Sequence, residues 1–114
     1  MPAQIYKEWD DWVQSNDKPK LVMFYASWCG YSQKALEALK KAVPNIDGTK
    51  IKIVAIEERK IPLDWLQDLE ITGWPTIKIV HKEKNGHTQI DPFNFERTID
   101  NFIAAAEKVI KESR

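Results

Sequence analysis

The chain has 114 residues, enough for one hydrophobic core and too few for two ordinary domains, so residues 1–114 read as a single domain. Seventeen Lys and Arg offset seventeen Asp and Glu and the two signs are mixed along the chain, which argues against a nucleic-acid surface or a polybasic membrane patch. The hydrophobic share of 43% suits a packed core, no apolar run approaches the ~18 residues of a spanning helix, and one cysteine excludes an internal disulfide and a structural zinc site.

At the N-terminus, Ile5, Trp9, Trp12 and Val13 recur at helical spacing before Asn16 to Pro19 breaks the pattern, predicting an amphipathic helix over residues 4–15. This stretch has neither an apolar core nor a small-residue cleavage site, so it does not read as a secretory signal, and the chain is expected to be cytoplasmic. Lys20 to Ala26 is a continuous apolar run after one lysine, the mark of a buried central strand. From Gly30, the residues Ala35, Leu36, Leu39, Ala42 and Val43 line one side of a helix that Pro44 and Asn45 end. Ile51 to Ile56 reads as a second strand.

Pro62 opens a short helix through Leu69, with Leu63, Leu66 and Leu69 expected inward and Gly73 beyond its end. Thr76 to His81 is a third strand, Asn85-Gly86 a hairpin signal, and His87 to Ile90 a fourth strand returning antiparallel. After Asp91-Pro92, Phe95, Ile99, Phe102, Ile103, Ala106, Val109 and Ile110 mark a terminal helix. The expected fold class is α/β: a mixed four-stranded sheet with helices on both faces and a right-handed crossover between its first two strands.

Chemistry centres on Cys29. It stands where a buried strand gives way to a helix, and the unpaired N–H groups of that helix's first turn favour a thiolate, the attacking species in disulfide exchange. The alternative is a buried cysteine acting as a small hydrophobe. His81 and His87 have no companion at metal-ligand spacing, so neither metal nor cofactor is expected.

The stretch Phe24-Tyr25-Ala26-Ser27-Trp28-Cys29-Gly30-Tyr31-Ser32 resembles the active-site segment of thioredoxins and protein disulfide isomerase domains, F-[WY]-A-x-W-C-G-x-C. Ile71-Thr72-Gly73-Trp74-Pro75-Thr76 is similar to the family's second segment, I-x-G-x-P-T. The resemblance implies a thioredoxin-like fold, with Cys29 as the nucleophile and Pro75 as a cis-proline that leaves the Trp74 backbone free to pair with an extended substrate. Trp28, Gly30 and Tyr31 complete the implied substrate surface. Core packing remains the alternative for Trp28, and an ordinary trans turn for Pro75.

Four departures stand out. Ser32 occupies the position of the resolving cysteine, and Met23 that of a buried acid. Asp91-Pro92-Phe93 replaces a glycine-containing rim, on which Phe93 could hold peptide, and the family's first short strand is not evident. The implied activity is thiol-disulfide exchange on protein disulfides, in which Cys29 forms a mixed disulfide that the chain itself does not resolve. The leading explanation of Ser32 is a substitution in a C-G-Y-C parent. The alternative is a naturally monothiol protein or a noncatalytic binding module. The implied partners are disulfide-containing proteins or peptides and an external thiol reductant or reductase, with no nucleic acid, no membrane and a monomeric state. Glutathione use or peroxidase chemistry would need basic or polarising groups at the rim. Lys34 is the sole basic candidate near Cys29, and no arginine accompanies it locally.

Overall fold

The computed structural model describes residues 1–9, 18–83 and 85–112. Five strands form one mixed sheet: β1 (Ile5–Tyr6), β2 (Lys20–Tyr25), β3 (Lys52–Glu57), β4 (Thr76–Lys82) and β5 (Thr88–Pro92), in the spatial order β1-β3-β2-β4-β5. The helices are α1 (Gly30–Ala42), α2 (Leu63–Asp68) and α3 (Ile99–Glu112), with single 3-10 turns at Val43–Asn45 and Glu58–Lys60. β2 runs parallel to β3 and antiparallel to β4, and β4 pairs antiparallel with β5.

The four-stranded expectation is corrected by β1, which lies parallel to the edge of β3 with Ile5 opposite Ile53 and Tyr6 opposite Val54. The first strand is therefore present, and residues 5–6 are extended rather than helical. Two residues are too short to show a period, and the helical spacing of Ile5 and Trp9 came from apolar side chains packing on opposite faces. Ile5 joins one core cluster and Tyr6 and Trp9 the other. The remainder of the predicted helix, residues 10–15 with Trp12 and Val13, lies outside the described residues.

Alternation along the central strands makes two cores. Leu21 and Met23 of β2, Ile53 and Ala55 of β3 and Ile77 of β4 meet Ala35, Leu39 and Ala42 of α1 and Phe102, Ala106 and Val109 of α3. On the other face Val22, Phe24, Val54 and Ile56 pack with Ile61 and Ile71 and against Trp65 and Leu66 of α2. Burial on both faces explains why β2 reads as an unbroken apolar run. Each fully buried Leu or Phe, such as Leu39 and Phe102, contributes about 1.5–3 kcal/mol. Trp65 sets its edge against Trp9 at 5.9 Å and Phe24 at 6.4 Å between centroids, so it serves packing.

Several boundaries move. Pro62 precedes α2 rather than opening it, and Leu63 is 83% exposed instead of facing inward, because α2 is too short to carry a full apolar stripe. The turn after Asn85 places Gly86 at φ 86°, the left-handed region that glycine enters without cost, and its N–H donates to Glu83 O at 2.9 Å. α3 begins at Ile99, later than Phe95, because the Thr98 hydroxyl accepts from Asn101 N at 3.1 Å and caps the helix there.

Candidate active site

Strand register brings four separated segments to one end of the sheet. Tyr25 at the end of β2 lies beside Glu57 at the end of β3, and Phe24 faces Thr76 at the start of β4. Lys78 then pairs with Pro92, which brings the segment after β5 to the same end. This is the carboxyl end of the parallel strands, where loops rather than ladder hydrogen bonds meet solvent.

After β2 the chain turns sharply, with Cys29 N donating to Ala26 O at 3.1 Å. Cys29 is the residue before α1, in extended backbone at φ −98° and ψ 122°, and its carbonyl accepts the first helical hydrogen bond from Gln33 N at 3.0 Å. Its thiol is partly exposed. The pKa lies below the ordinary thiol value of 9.0, chiefly because the Ser32 N–H donates to the sulfur. Desolvation opposes this, and the Tyr31 N–H and the Ser32 hydroxyl add to it. The second segment places the Trp74 carbonyl 3.8 Å from Cys29 Sγ, and the Trp74–Pro75 bond is cis.

Ser32 is fully buried, and its hydroxyl accepts from Ala26 N at 3.1 Å. One hydroxyl carries two acceptor lone pairs and one donor, so the same group can accept from Ala26 and donate to the sulfur. Met23 is likewise fully buried in the apolar cluster beneath α1. Phe93, expected on the rim, is instead core: it is 3% exposed and stacks on Phe102 with centroids 5.2 Å apart. Phe95, packed edge-on against Phe93 at 5.5 Å, takes the exposed position in that loop at 62%.

Trp28 is 67% exposed and Tyr31 78%, which excludes the core-packing alternative for Trp28. The indole N–H of Trp28 donates to the Glu58 carboxylate, and Ser27 Oγ donates to Glu57 Oε1 at 3.4 Å. Gln33 Nε2 donates to Ser27 O at 2.7 Å and ties this turn to the helix. Burial pushes the Glu57 carboxyl up, but the Arg59 side chain and N–H and the Ser27 hydroxyl outweigh it and hold the carboxyl below its usual value.

Two functional candidates escaped sequence reasoning. Glu58 lies 30 positions from Trp28, and Arg97 lies far downstream of Cys29. Arg97 Nη2 donates to Pro75 O at 3.4 Å and shares with Lys34, Tyr31 and Trp74 a groove of about 550 Å³. No local periodicity signals either residue, because sheet register alone brings their loops to the cysteine. A separate apolar cleft of about 270 Å³, lined by Trp9, Trp65, Val80 and Ile90, lies on the α2 face, away from Cys29. Among the described residues, no three His, Cys, Asp or Glu side chains gather as a metal site.

A helix-opening cysteine beside a cis-proline, at the end of a mixed sheet with helices on both faces, defines a thioredoxin- or disulfide-isomerase-like oxidoreductase fold with an atypical single-cysteine site. The thioredoxin family profile matches residues 3–107, and the chain belongs to the thioredoxin family. It is 30% identical over 89 residues to protein disulfide-isomerase of Drosophila melanogaster, covering 76% of this chain and 17% of that protein. It is also 35% identical over 84 residues to the chloroplastic thioredoxin Y of Oryza sativa subsp. japonica, covering 74% of this chain and 49% of that one. In fold it is similar to the Trx4 domain of ERdj5, with TM-score 0.73 at 18% identity, covering 90% of this chain and 93% of the other.

The chain thus spans only part of the length of these curated relatives. The cytoplasmic expectation is overturned by these neighbours. The rice thioredoxin Y among them is chloroplastic, and the residue pattern of this chain assigns no compartment. Among the described residues, no helix is long and apolar enough to cross a membrane.

Proposed function

We propose that residues 1–114 act as one thioredoxin-like domain that attacks protein disulfides through Cys29 and holds the product as a mixed disulfide. The observation that carries this reading is the Cys29 sulfur at the start of α1, stabilised as thiolate by the Ser32 and Tyr31 N–H groups and set 3.8 Å from the Trp74 carbonyl. In the reaction the thiolate attacks one sulfur of a substrate disulfide. A Cys29–substrate S–S bond forms, the substrate S–S bond breaks, and the second substrate sulfur leaves as a thiolate that takes a proton from solvent.

Pro75 and the Trp74 backbone form the edge on which an extended peptide lies, while Trp28, Gly30 and Tyr31 provide its surroundings. Ser32 stands at the resolving position and supplies a hydroxyl in place of a second thiol. It cannot form a disulfide, so release requires a thiol reductant or reductase from outside the chain. The partners under this reading are disulfide-containing proteins or peptides, with the domain acting as a monomer.

Disulfide-reduction turnover on a small protein substrate with excess dithiol reductant tests the proposal by comparing this chain with Ser32→Cys. Turnover by Ser32→Cys, with the unaltered chain stalling as a substrate adduct identified by mass, is expected. Failure of both to react above the reductant background would leave a thioredoxin-like binding module instead.

A further inference from the structure

The groove beside Cys29 carries more positive than negative charge. Its wall includes Lys34, Arg97 and one acid, Glu96, together with Tyr31, Trp74 and Pro75. Both cations are exposed, and neither has an ion pair among the described residues; Arg97 makes its one hydrogen bond to the Pro75 carbonyl at 3.4 Å. A guanidinium has five N–H donors, so most of its hydrogen-bonding capacity remains for a ligand of the groove.

Arg97 also stands on a constrained support. The Thr98 hydroxyl caps α3, and Asn101 Nδ2 donates to Glu96 O at 2.9 Å, so the residues on either side are tied to the helix. Trp74 and Pro75 are consecutive. The carbonyl that faces the thiol and the carbonyl that holds the guanidinium therefore belong to adjacent residues. Glu57 and Glu58 gather instead with Ser27 and Trp28, outside the groove.

The geometry points to a carboxylate subsite: Arg97 and Lys34 select disulfide-bearing peptides that carry an Asp or Glu within roughly three residues of the reacting cysteine. This rests on the exchange reaction proposed above and adds its substrate class. The peptide carboxylate meets the guanidinium and the ammonium while its sulfur meets Cys29, and the acids beside Trp28 disfavour the reverse placement.

The test uses three blocked cysteine peptides, each activated as a 2-thiopyridyl disulfide and identical except for Glu, Gln or Lys two residues from the cysteine. Cys29 attack forms the Cys29–peptide disulfide and releases thiopyridone, whose absorbance gives the rate. The Glu peptide is expected to react roughly fivefold faster than the Gln peptide at low ionic strength and the Lys peptide slowest, with the differences shrinking as salt rises.

In the double variant Lys34→Gln with Arg97→Gln, the Glu-to-Gln ratio is expected to fall to about one. Any change in thiolate population alters both peptide rates together, so the ratio isolates carboxylate recognition from a general effect of Arg97 on the sulfur. Equal rates for all three peptides on the unaltered chain, or a ratio that the double variant leaves intact, would overturn the subsite while leaving exchange standing. No reaction with any peptide would instead defeat the exchange reading.

Discussion

The Ser32 hydroxyl accepts a hydrogen bond from the Ala26 backbone N–H at 3.1 Å, linking the turn after β2 to the first turn of α1 beneath Cys29. Both residues have no exposed surface, so water does not replace this bond. Ser32 is therefore a structural clasp as well as a neighbour of the Cys29 thiol. Ser32→Ala leaves a buried donor unpaired and removes one stabiliser of the thiolate. It is expected to cost about 1–3 kcal/mol, read from urea unfolding, and to raise the Cys29 pKa, read from thiolate absorbance. An unchanged titration midpoint would show that the hydroxyl does not reach the sulfur.

Cys29 has a depressed pKa, with the Ser32 N–H as the largest cause. Alkylation by a neutral reagent should rise with pH and level off at a midpoint below 9.0, the ordinary thiol value. The linked stability has a definite sign. It is fully present above the unfolded thiol pKa and is lost as pH falls through the folded value, so Cys29→Ala should flatten the pH dependence of Tm across that window. A midpoint at or above 9.0 would contradict the helix-start account.

Glu58→Ala should free the Trp28 indole from its carboxylate partner. The expected readout is a shift and broadening of one indole N–H resonance with stability changed by less than about 0.5 kcal/mol, since Trp28 is mostly exposed. Glu58→Gln keeps an acceptor oxygen and should restore the resonance. Loss of several indole signals together would point to unfolding rather than release of one side chain.

Asp91 is held below its ordinary value of 3.8 by the Gln89 amide first and then by His81, whose Nε2 lies 2.8 Å from Asp91 Oδ2. Its contribution is present above the unfolded carboxyl pKa and disappears as pH falls through the lower folded value. With 44% of the side chain exposed, screening limits the pair to about 1 kcal/mol or less. Asp91→Asn should therefore cost that amount near neutrality and nothing at the acid end of a denaturation series.

Met23→Asp places a carboxyl where the side chain has no exposed surface and its neighbours are apolar. Several kcal/mol of destabilisation is expected near neutrality, since the buried group must either stay charged without a partner or bind a proton. Burial raises the folded pKa of the new carboxyl, so the penalty should shrink as pH falls from that raised value toward ~4, the unfolded value, and level off below it. A variant as stable as the parent at neutral pH would mean that this site already admits water.

Local pattern made much of the fold legible. The apolar run from Lys20, the helix after Gly30, the alternation ending at Ile56, the Asn85-Gly86 turn and the periodicity from Ile99 each correspond to an observed element. These signals persist because side-chain period follows backbone geometry over five or more residues. β1 failed that condition: its two residues gain their strand character from the edge of β3, so their spacing to Trp9 imitated a helix. Leu63 failed for a related reason, since a six-residue helix offers too little surface to bury every apolar position.

The sequence by itself determined the single thiol at Cys29, its place at a helix start, a serine rather than a second thiol at position 32 and the apolar character of Met23, because each depends on residue identity and near neighbours. Only the tertiary structure decided that Glu58 holds Trp28, that Phe93 is core and Phe95 exposed, and that Arg97 joins Lys34 beside Pro75. Those relationships cross between loops whose ends meet through strand pairing. Register, a property of the whole sheet, fixes them, and no local window of the chain contains it.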